Sequence, residues 1–219
     1  MSNIPPDLIL EQFELGPLAN FLYFIGDAKS KEIAVVDPAW DVDLLCEQAD
    51  TKGYTVKAVF LTHGHPDHVN GLEKFLSRYD VPAYISKYEA PFYKPEHKNI
   101  VEVEDRDKLK VGAIEFTCLL LPGHTPGCQA FLYKNVLISG DVIFVDGCGR
   151  CDLPGGDASL MYRSLFLTIK KLPDETIIFP GHNYGPSPYA TIGEQKKTNP
   201  YLTASDEQDF LIQRMGMSF

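Results

Sequence analysis

The chain has 219 residues, of which 44% are hydrophobic and 23% charged, and its formal net charge is -10. That length and composition suit a single globular domain over residues 1–219 with a full core. No apolar run reaches the roughly 20 residues a membrane-spanning helix needs, and the acidic balance weighs against nucleic acid, whose phosphates recruit Lys and Arg. Neither a membrane nor a nucleic-acid partner is expected.

The opening "MSNIPPDLIL" has no basic segment leading into an apolar one, so no secretory signal is expected. Five cysteines, at 46, 118, 128, 148 and 151, make an odd count without the spacing of a disulfide scaffold. A reducing, cytoplasmic setting is the reading that follows.

In chain order, "LILEQFELG" and "NFLYFIGD" are rich in apolar and aromatic residues and predict two strands. "EIAVVDPA" predicts a third, stopped by Asp37-Pro38. "DVDLLCEQADTKGY" sets Val42, Leu45, Cys46 and Ala49 at helical spacing and ends at Gly53. "VKAVFLT" predicts a buried strand and "VNGLEKFLSRY" a helix. Further on, "IEFTCLLLP", "QAFLY" and "VLISGD" predict strands. "DASLMYRSLFLTIKKL" predicts a helix whose apolar face is Leu160, Ser164, Leu165 and Leu167 to Ile169. "TIIFP" predicts a strand, and "NPYLTASDEQDFLIQRM" a partly helical end. Strands alternating with helices in both halves give an α/β class with helices outside sheets.

Between a predicted strand and a predicted helix lies "LTHGHPDHVNG", with His63, His65, Asp67 and His68 in six positions. Neutral imidazole and carboxylate are the usual ligands of zinc and of non-haem iron. In an extended segment residues i and i+2 share a side, so His63 and His65 can grip one ion. Asp67 and His68 follow where the chain turns into a helix, and they can serve a second. His124, Asp141 and His182 also stand at predicted strand ends, after "LLLPG", "LISG" and "IIFPG". Loops on a rigid scaffold build sites in this way. His97, in "KPEHKN", reads as part of a charged surface turn. Cys46, Cys118 and Cys128 lie in apolar segments and read as core. Cys148 and Cys151 form a C-x-x-C, a spacing that serves redox chemistry or zinc, or simply two thiols in a loop.

"THGHPDH" resembles the H-x-H-x-D-H signature of the metallo-β-lactamase-fold superfamily, and "PGHTPG", "SGD" and "FPGHNYG" match its later motifs in order. The resemblance implies a four-layer αβ/βα sandwich, two mixed sheets flanked by helices, with a metal site at the sheet edge. It implies that His63, His65 and His124 bind one metal, that Asp67, His68 and His182 bind another, and that Asp141 bridges both. Asp67 and Asp141 thereby belong to the catalytic centre.

Two branches are similar. Glyoxalase II implies two Zn(2+) ions and hydrolysis of a thioester by a metal-held hydroxide. "GCGRCD" resembles its glutathione-contacting segment, which assigns Arg150 and Tyr184 to substrate binding. The chain departs from that family in having 37 residues after His182 instead of a long helical domain. Persulfide dioxygenases imply a single Fe(2+) at His63, His124 and Asp141, oxidising glutathione persulfide to sulfite. "GCGR", "MYRSL" and "TNPYLT" resemble that branch. A lactone or lactam substrate, or a metal site without turnover, is a third reading. The expected partner is a small thioester or a glutathione-derived molecule, and a homodimer stays open.

Overall fold

The computed structural model describes residues 4–93, 95 and 97–216. One six-stranded sheet runs, in spatial order, β1 (Leu8–Leu15), β2 (Asn20–Asp27), β3 (Glu32–Val36), β4 (Thr55–Phe60), β5 (Ala83–Ser86) and β6 (Ile100–Val103). The other runs β14 (Ala190–Thr191), β13 (Ile177–Pro180), β10 (Val136–Gly140), β9 (Gln129–Tyr133), β8 (Ile114–Leu120) and β7 (Lys108–Val111). A small hairpin of β11 (Ile143–Phe144) and β12 (Gly147–Cys148) follows β10. Both large sheets are mixed: β3 to β6 pair in parallel and so do β10 and β13, while the remaining pairs are antiparallel.

The alternation of side chains along each strand builds the layers. Phe21, Tyr23 and Ile25 of β2, Ala34 and Val36 of β3 and Phe60 of β4 point between the sheets, where they meet Phe116, Phe131, Ile138 and Phe179. Their neighbours Leu22, Phe24, Ile33, Val35 and Val59 point outward, under the helices α1 (Val42–Thr51) and α3 (Leu72–Arg78). A strand covered on both faces reads as continuously apolar, which is why β2 is buried along its whole length. Phe60 sits at the centre, edge-on to Phe116 with centroids 5.7 Å apart and tilted on Phe131 at 4.8 Å. Truncating such a ring to alanine costs about 3–5 kcal/mol.

Beyond the second sheet lie α5 (Ala158–Arg163), α6 (Ile192–Thr198), α7 (Pro200–Thr203) and α8 (Glu207–Met215), whose Met161, Ile192, Leu202 and Phe210 pack on Leu137 and Ile178. The order is helix, sheet, sheet, helix, the four-layer sandwich that the resemblance implies. Among the described residues no helix is long and apolar enough to cross a membrane.

Caps agree with the sequence. Asp41 accepts from Leu44 N at the start of α1, and Gly53 (φ +66°) lies just past its end. Two expected helices differ. The helix expected over 69–79 begins at Leu72 as α3, while α2 (Pro66–Val69) forms within the histidine cluster, so Asp67 and His68 ride on a helical turn of their own. The break falls at Gly71, where a Cβ would lie 2.7 Å from Pro38 O; only glycine lets the chain pass. The expected helix over 157–172 holds its α form only to Arg163, then widens over Ser164–Thr168 and tightens over Ile169–Lys171. Its buried face is Met161, Leu165 and Ile169, and Leu167 faces solvent instead. Ser164 Oγ donates to Pro122 O at 2.7 Å, tying the irregular turn to the loop that carries His124.

Candidate metal centre

Four strand ends deliver the polar cluster. β4 runs into His63, β8 into His124, β10 into Asp141 and β13 into His182. The two sheets are joined along this edge by backbone bonds. Gln129 N donates to Thr62 O at 2.9 Å, and Phe21 N donates to Gly181 O at 2.8 Å. Gly181 is there because a Cβ would lie 2.2 Å from Asp141 Oδ1.

Among the described residues three donor sets result: His63, His65 and His124 each offer a ring nitrogen, Asp67, His68 and His182 offer a carboxylate oxygen and two ring nitrogens, and a third grouping of Asp37, His63 and His68 shares a residue with each of these. Asp141 lies between the first two, with Oδ2 3.4 Å from His124 Nε2 and 3.3 Å from His182 Nε2, and with Oδ1 3.5 Å from His68 Nε2. The structure therefore gathers all seven residues that the sequence singles out, in the two groups expected. His97 is elsewhere, its Nδ1 accepting from Asn99 N.

The outer hydrogen bonds fix how the rings present themselves. His124 Nδ1 donates to Arg150 O at 2.7 Å, His182 Nδ1 to Leu18 O at 2.9 Å, and His68 Nδ1 to Asp37 Oδ2 at 2.9 Å. The Thr62 hydroxyl donates to Asp37 Oδ2 at 2.6 Å, which leaves its oxygen to accept from His63 Nδ1 at 3.0 Å. Four imidazoles thus spend their Nδ1–H outward and turn an Nε2 lone pair inward, the arrangement of metal-ligating histidines. His63 Nε2 lies 3.1 Å from His65 Nδ1, and His68 Nε2 lies 3.2 Å from His182 Nε2. Buried His124 Nε2 and Asp141 Oδ1 have no hydrogen-bond partner. Buried lone pairs that face each other without a donor are costly, and a cation among them removes the cost. The donor set fits metal ions on this ground.

The charge state agrees. Burial, with His68 beside it, holds His63 well below the usual histidine range, and burial with His124 brings His65 down to about 4. Burial opposes a charge on His68 too, but Asp141, Asp37 and Asp67 together outweigh it and raise the ring to about 9. Burial also opposes ionisation of Asp141, and there His68, His182 and His63 prevail and keep the carboxyl well below its ordinary range. In the metal-free chain a proton takes the place of a cation between His68 and Asp141.

Several supporting residues carry no motif. Asp37 holds φ +51° and stands in the sequence as a strand stop, yet its two oxygens take Thr62 N, Thr62 Oγ1 and His68 Nδ1. Glu89, fully buried, accepts from Gly64 N at 2.7 Å and Gly127 N at 2.9 Å, and so clamps together the loops of His63, His65 and His124. Asn20 Nδ2 donates to Asp67 Oδ2 at 2.9 Å. Buried polar residues next to a motif are the signal, and burial is not visible in a sequence.

A pocket of about 250 Å³ opens onto the cluster, walled by Leu18, Phe144, Leu153 and Tyr184, with Arg150 at the rim. Tyr184 stacks on His182 with centroids 4.5 Å apart and planes 8° apart. The Arg150 guanidinium is exposed and holds Asp152 through two bonds of 2.9 and 2.7 Å. Both expected substrate-binding residues therefore line the pocket. Cys148 and Cys151 are not among its walls: they are free and buried in the apolar layer between the second sheet and its helices, and burial pushes the Cys151 thiol up to about 11. Burial disfavours the thiolate that reactive cysteines use.

The metallo-β-lactamase superfamily model matches residues 15–182. The chain belongs to that superfamily. The probable polyketide biosynthesis zinc-dependent hydrolase PksB of Bacillus subtilis is 31% identical over 192 residues, covering 88% of this chain and 85% of that protein. Human mitochondrial persulfide dioxygenase ETHE1 is 31% identical, covering 93% and 79%. The hydroxyacylglutathione hydrolase GloC of Haemophilus influenzae is 31% identical, covering 80% and 89%. The crystal structure of ETHE1 from Myxococcus xanthus superposes with a TM-score of 0.86 at 28% identity, covering 96% of this chain and 92% of that one. Superfamily members similar to this chain thus include named hydrolases and named dioxygenases.

Proposed function

We propose that the chain is a dinuclear metallohydrolase that cleaves small thioesters. One observation carries this reading: the set of Asp67, His68 and His182 is prepared at least as fully as that of His63, His65 and His124, since His68 and His182 are both held by outward Nδ1 bonds, as are His63 and His124. A site for one ion leaves His68 Nε2 and His182 Nε2 facing each other at 3.2 Å with only a proton to hold between them. Zinc ions held by the two sets, with Asp141 between them, would activate water at neutral pH and polarise an acyl carbonyl. The apolar wall of Leu18, Phe144 and Leu153 accepts an acyl or thiol chain beside the cluster, and Arg150 at the rim attracts an anionic end. PksB and GloC, both named as hydrolases, support the same reaction class.

A second reading is an iron persulfide dioxygenase using His63, His124 and Asp141. It is favoured by the near-complete mutual coverage with ETHE1 of Myxococcus xanthus and by the 3.4 Å approach of His124 Nε2 to Asp141 Oδ2. Two histidines and a carboxylate with open positions suit iron and dioxygen.

Metal identity and stoichiometry, on protein purified without added metal, decide between them. Close to two ions per chain, with turnover on a thioester panel, is the expected result. One iron per chain, with oxygen uptake on glutathione persulfide, overturns it.

A further inference from the structure

Asn20 is almost fully buried and carries an amide that two neighbours use from opposite sides. Its Nδ2 donates to Asp67 Oδ2 at 2.9 Å and to Asp67 O at 3.2 Å. Its Oδ1 accepts from the indole Nε1 of Trp40 at 2.9 Å. An amide has two orientations of nearly equal shape, with oxygen and nitrogen exchanged. A carboxylate requires the nitrogen and an indole, which can donate but never accept, requires the oxygen. The two demands agree on one orientation.

Trp40 is itself held against its preference. Its φ is +60°, a left-handed value unusual for a bulky residue, and its backbone N donates to Asn70 Oδ1 at 2.7 Å. Its ring lies against Gly16, where a Cβ would approach to 2.4 Å. Strain at a residue that touches no ligand of the cluster directly is explained if its indole has a task there.

We infer that Trp40 is a positioning residue of the metal centre: its indole N–H fixes the Asn20 amide so that the nitrogen faces Asp67 and holds that carboxylate in the set of Asp67, His68 and His182. The inference rests on the two-ion reading above. Without the indole, the amide oxygen loses its donor and Asp67 alone selects the orientation, so the amide holds that carboxylate less firmly. Outer partners of metal ligands are worth about 10–100-fold in metal affinity, which sets the scale of the effect.

The test is zinc titration of the stripped protein against a competing chelator, for wild type, Trp40→Phe, Asn20→Ala and the double variant. Trp40→Phe is expected to weaken the second zinc about tenfold and leave the first unchanged. In the Asn20→Ala background the same substitution is expected to change the second affinity by less than about twofold, because the amide it acts through is gone. A merely structural role predicts additive losses, or equal losses at both zincs, and either overturns the inference. Should Trp40→Phe fail to fold, wild type suffices: the chain has one tryptophan, so its indole N–H gives a single amide-type nuclear magnetic resonance signal. That signal is expected to shift as the second zinc equivalent binds, and one unmoved through two equivalents overturns the inference. One zinc per wild-type chain overturns the two-ion reading and this inference together. Two zincs with additive variants overturn the inference alone.

Discussion

His68 and His182 point their Nε2 atoms at each other across 3.2 Å, while each Nδ1 is bound outward, to Asp37 and to Leu18 O. A proton or a metal ion satisfies this contact, the nearest other donor to His68 Nε2 being the Asn20 amide at 3.5 Å. His68→Ala is therefore expected to lose one bound ion and keep the other, because His63, His65 and His124 form a separate set. His63→Ala is expected to empty the first set and abolish turnover. Metal analysis of the two purified variants checks this. Two ions retained in His68→Ala would count against the assignment, and so would full metal content in His63→Ala.

The same relationship sets the pH dependence of the metal-stripped protein. His68 is raised to about 9 by its carboxylate neighbours, which outweigh its burial. The folded chain then binds a proton that the unfolded chain releases near 6.5, so this contribution is complete below about pH 6.5 and is lost as pH rises toward 9. His65 is lowered to about 4, chiefly by burial. There the unfolded chain gains the proton first, so stability falls as pH drops from about 6.5 toward 4. Stripped protein is expected to be most stable near neutrality, and a loaded one to lose the alkaline decline because the ion has replaced the proton. Denaturant titrations between pH 5 and 9 on both forms measure this. His68→Asn should remove the alkaline decline from the stripped form, and a decline of unchanged size would assign it to other groups.

What the sequence conveys about this site follows from what its local patterns encode. The four motifs contain all seven side chains of the cluster, because imidazoles and carboxylates placed at or just past strand ends stand out in a sequence. The strands with long apolar runs, β2 and β10, are equally plain. β5, β6 and β7 are only four residues each, and β6 and β7 are partly exposed at the sheet margins, so "AYIS", "IVEV" and "KLKV" give little pattern to read. Leu167 looks like core by spacing and is solvent-facing, since the regular helix ends at Arg163. Asp37, Glu89 and Asn20 are unremarkable as letters, and their work depends on partners 25 or more residues away in the chain.

Glu89 gives a third prediction. Its two oxygens satisfy the buried N–H groups of Gly64 and Gly127. Glu89→Ala strands both donors, at about 1–3 kcal/mol each. It also frees the loops of His63, His65 and His124 from one another, so the first set should lose metal affinity more than the second. Glu89→Gln turns an amide N–H₂ toward one of the two donors and is expected to be nearly as harmful, despite its matching shape. Denaturation midpoints combined with zinc titration measure both effects. A Glu89→Gln protein with wild-type stability and affinity would mean that the clamp is dispensable.

Arg150 acts at two places through two parts of one residue. Its carbonyl holds His124 Nδ1 at 2.7 Å, while its guanidinium stands exposed at the pocket rim against Asp152. A side-chain substitution separates these, since Arg150→Ala keeps the carbonyl. Metal content should then be unchanged. If the guanidinium receives an anionic group of the substrate, KM for an anionic thioester should rise about tenfold, with kcat little altered and KM for a neutral thioester unmoved. The exposed pair with Asp152 contributes little to stability, so the melting temperature should move by no more than a degree or two. Steady-state kinetics on the two substrates decides the point: equal KM changes for both would remove Arg150 from substrate recognition and leave it as the residue whose backbone orients His124.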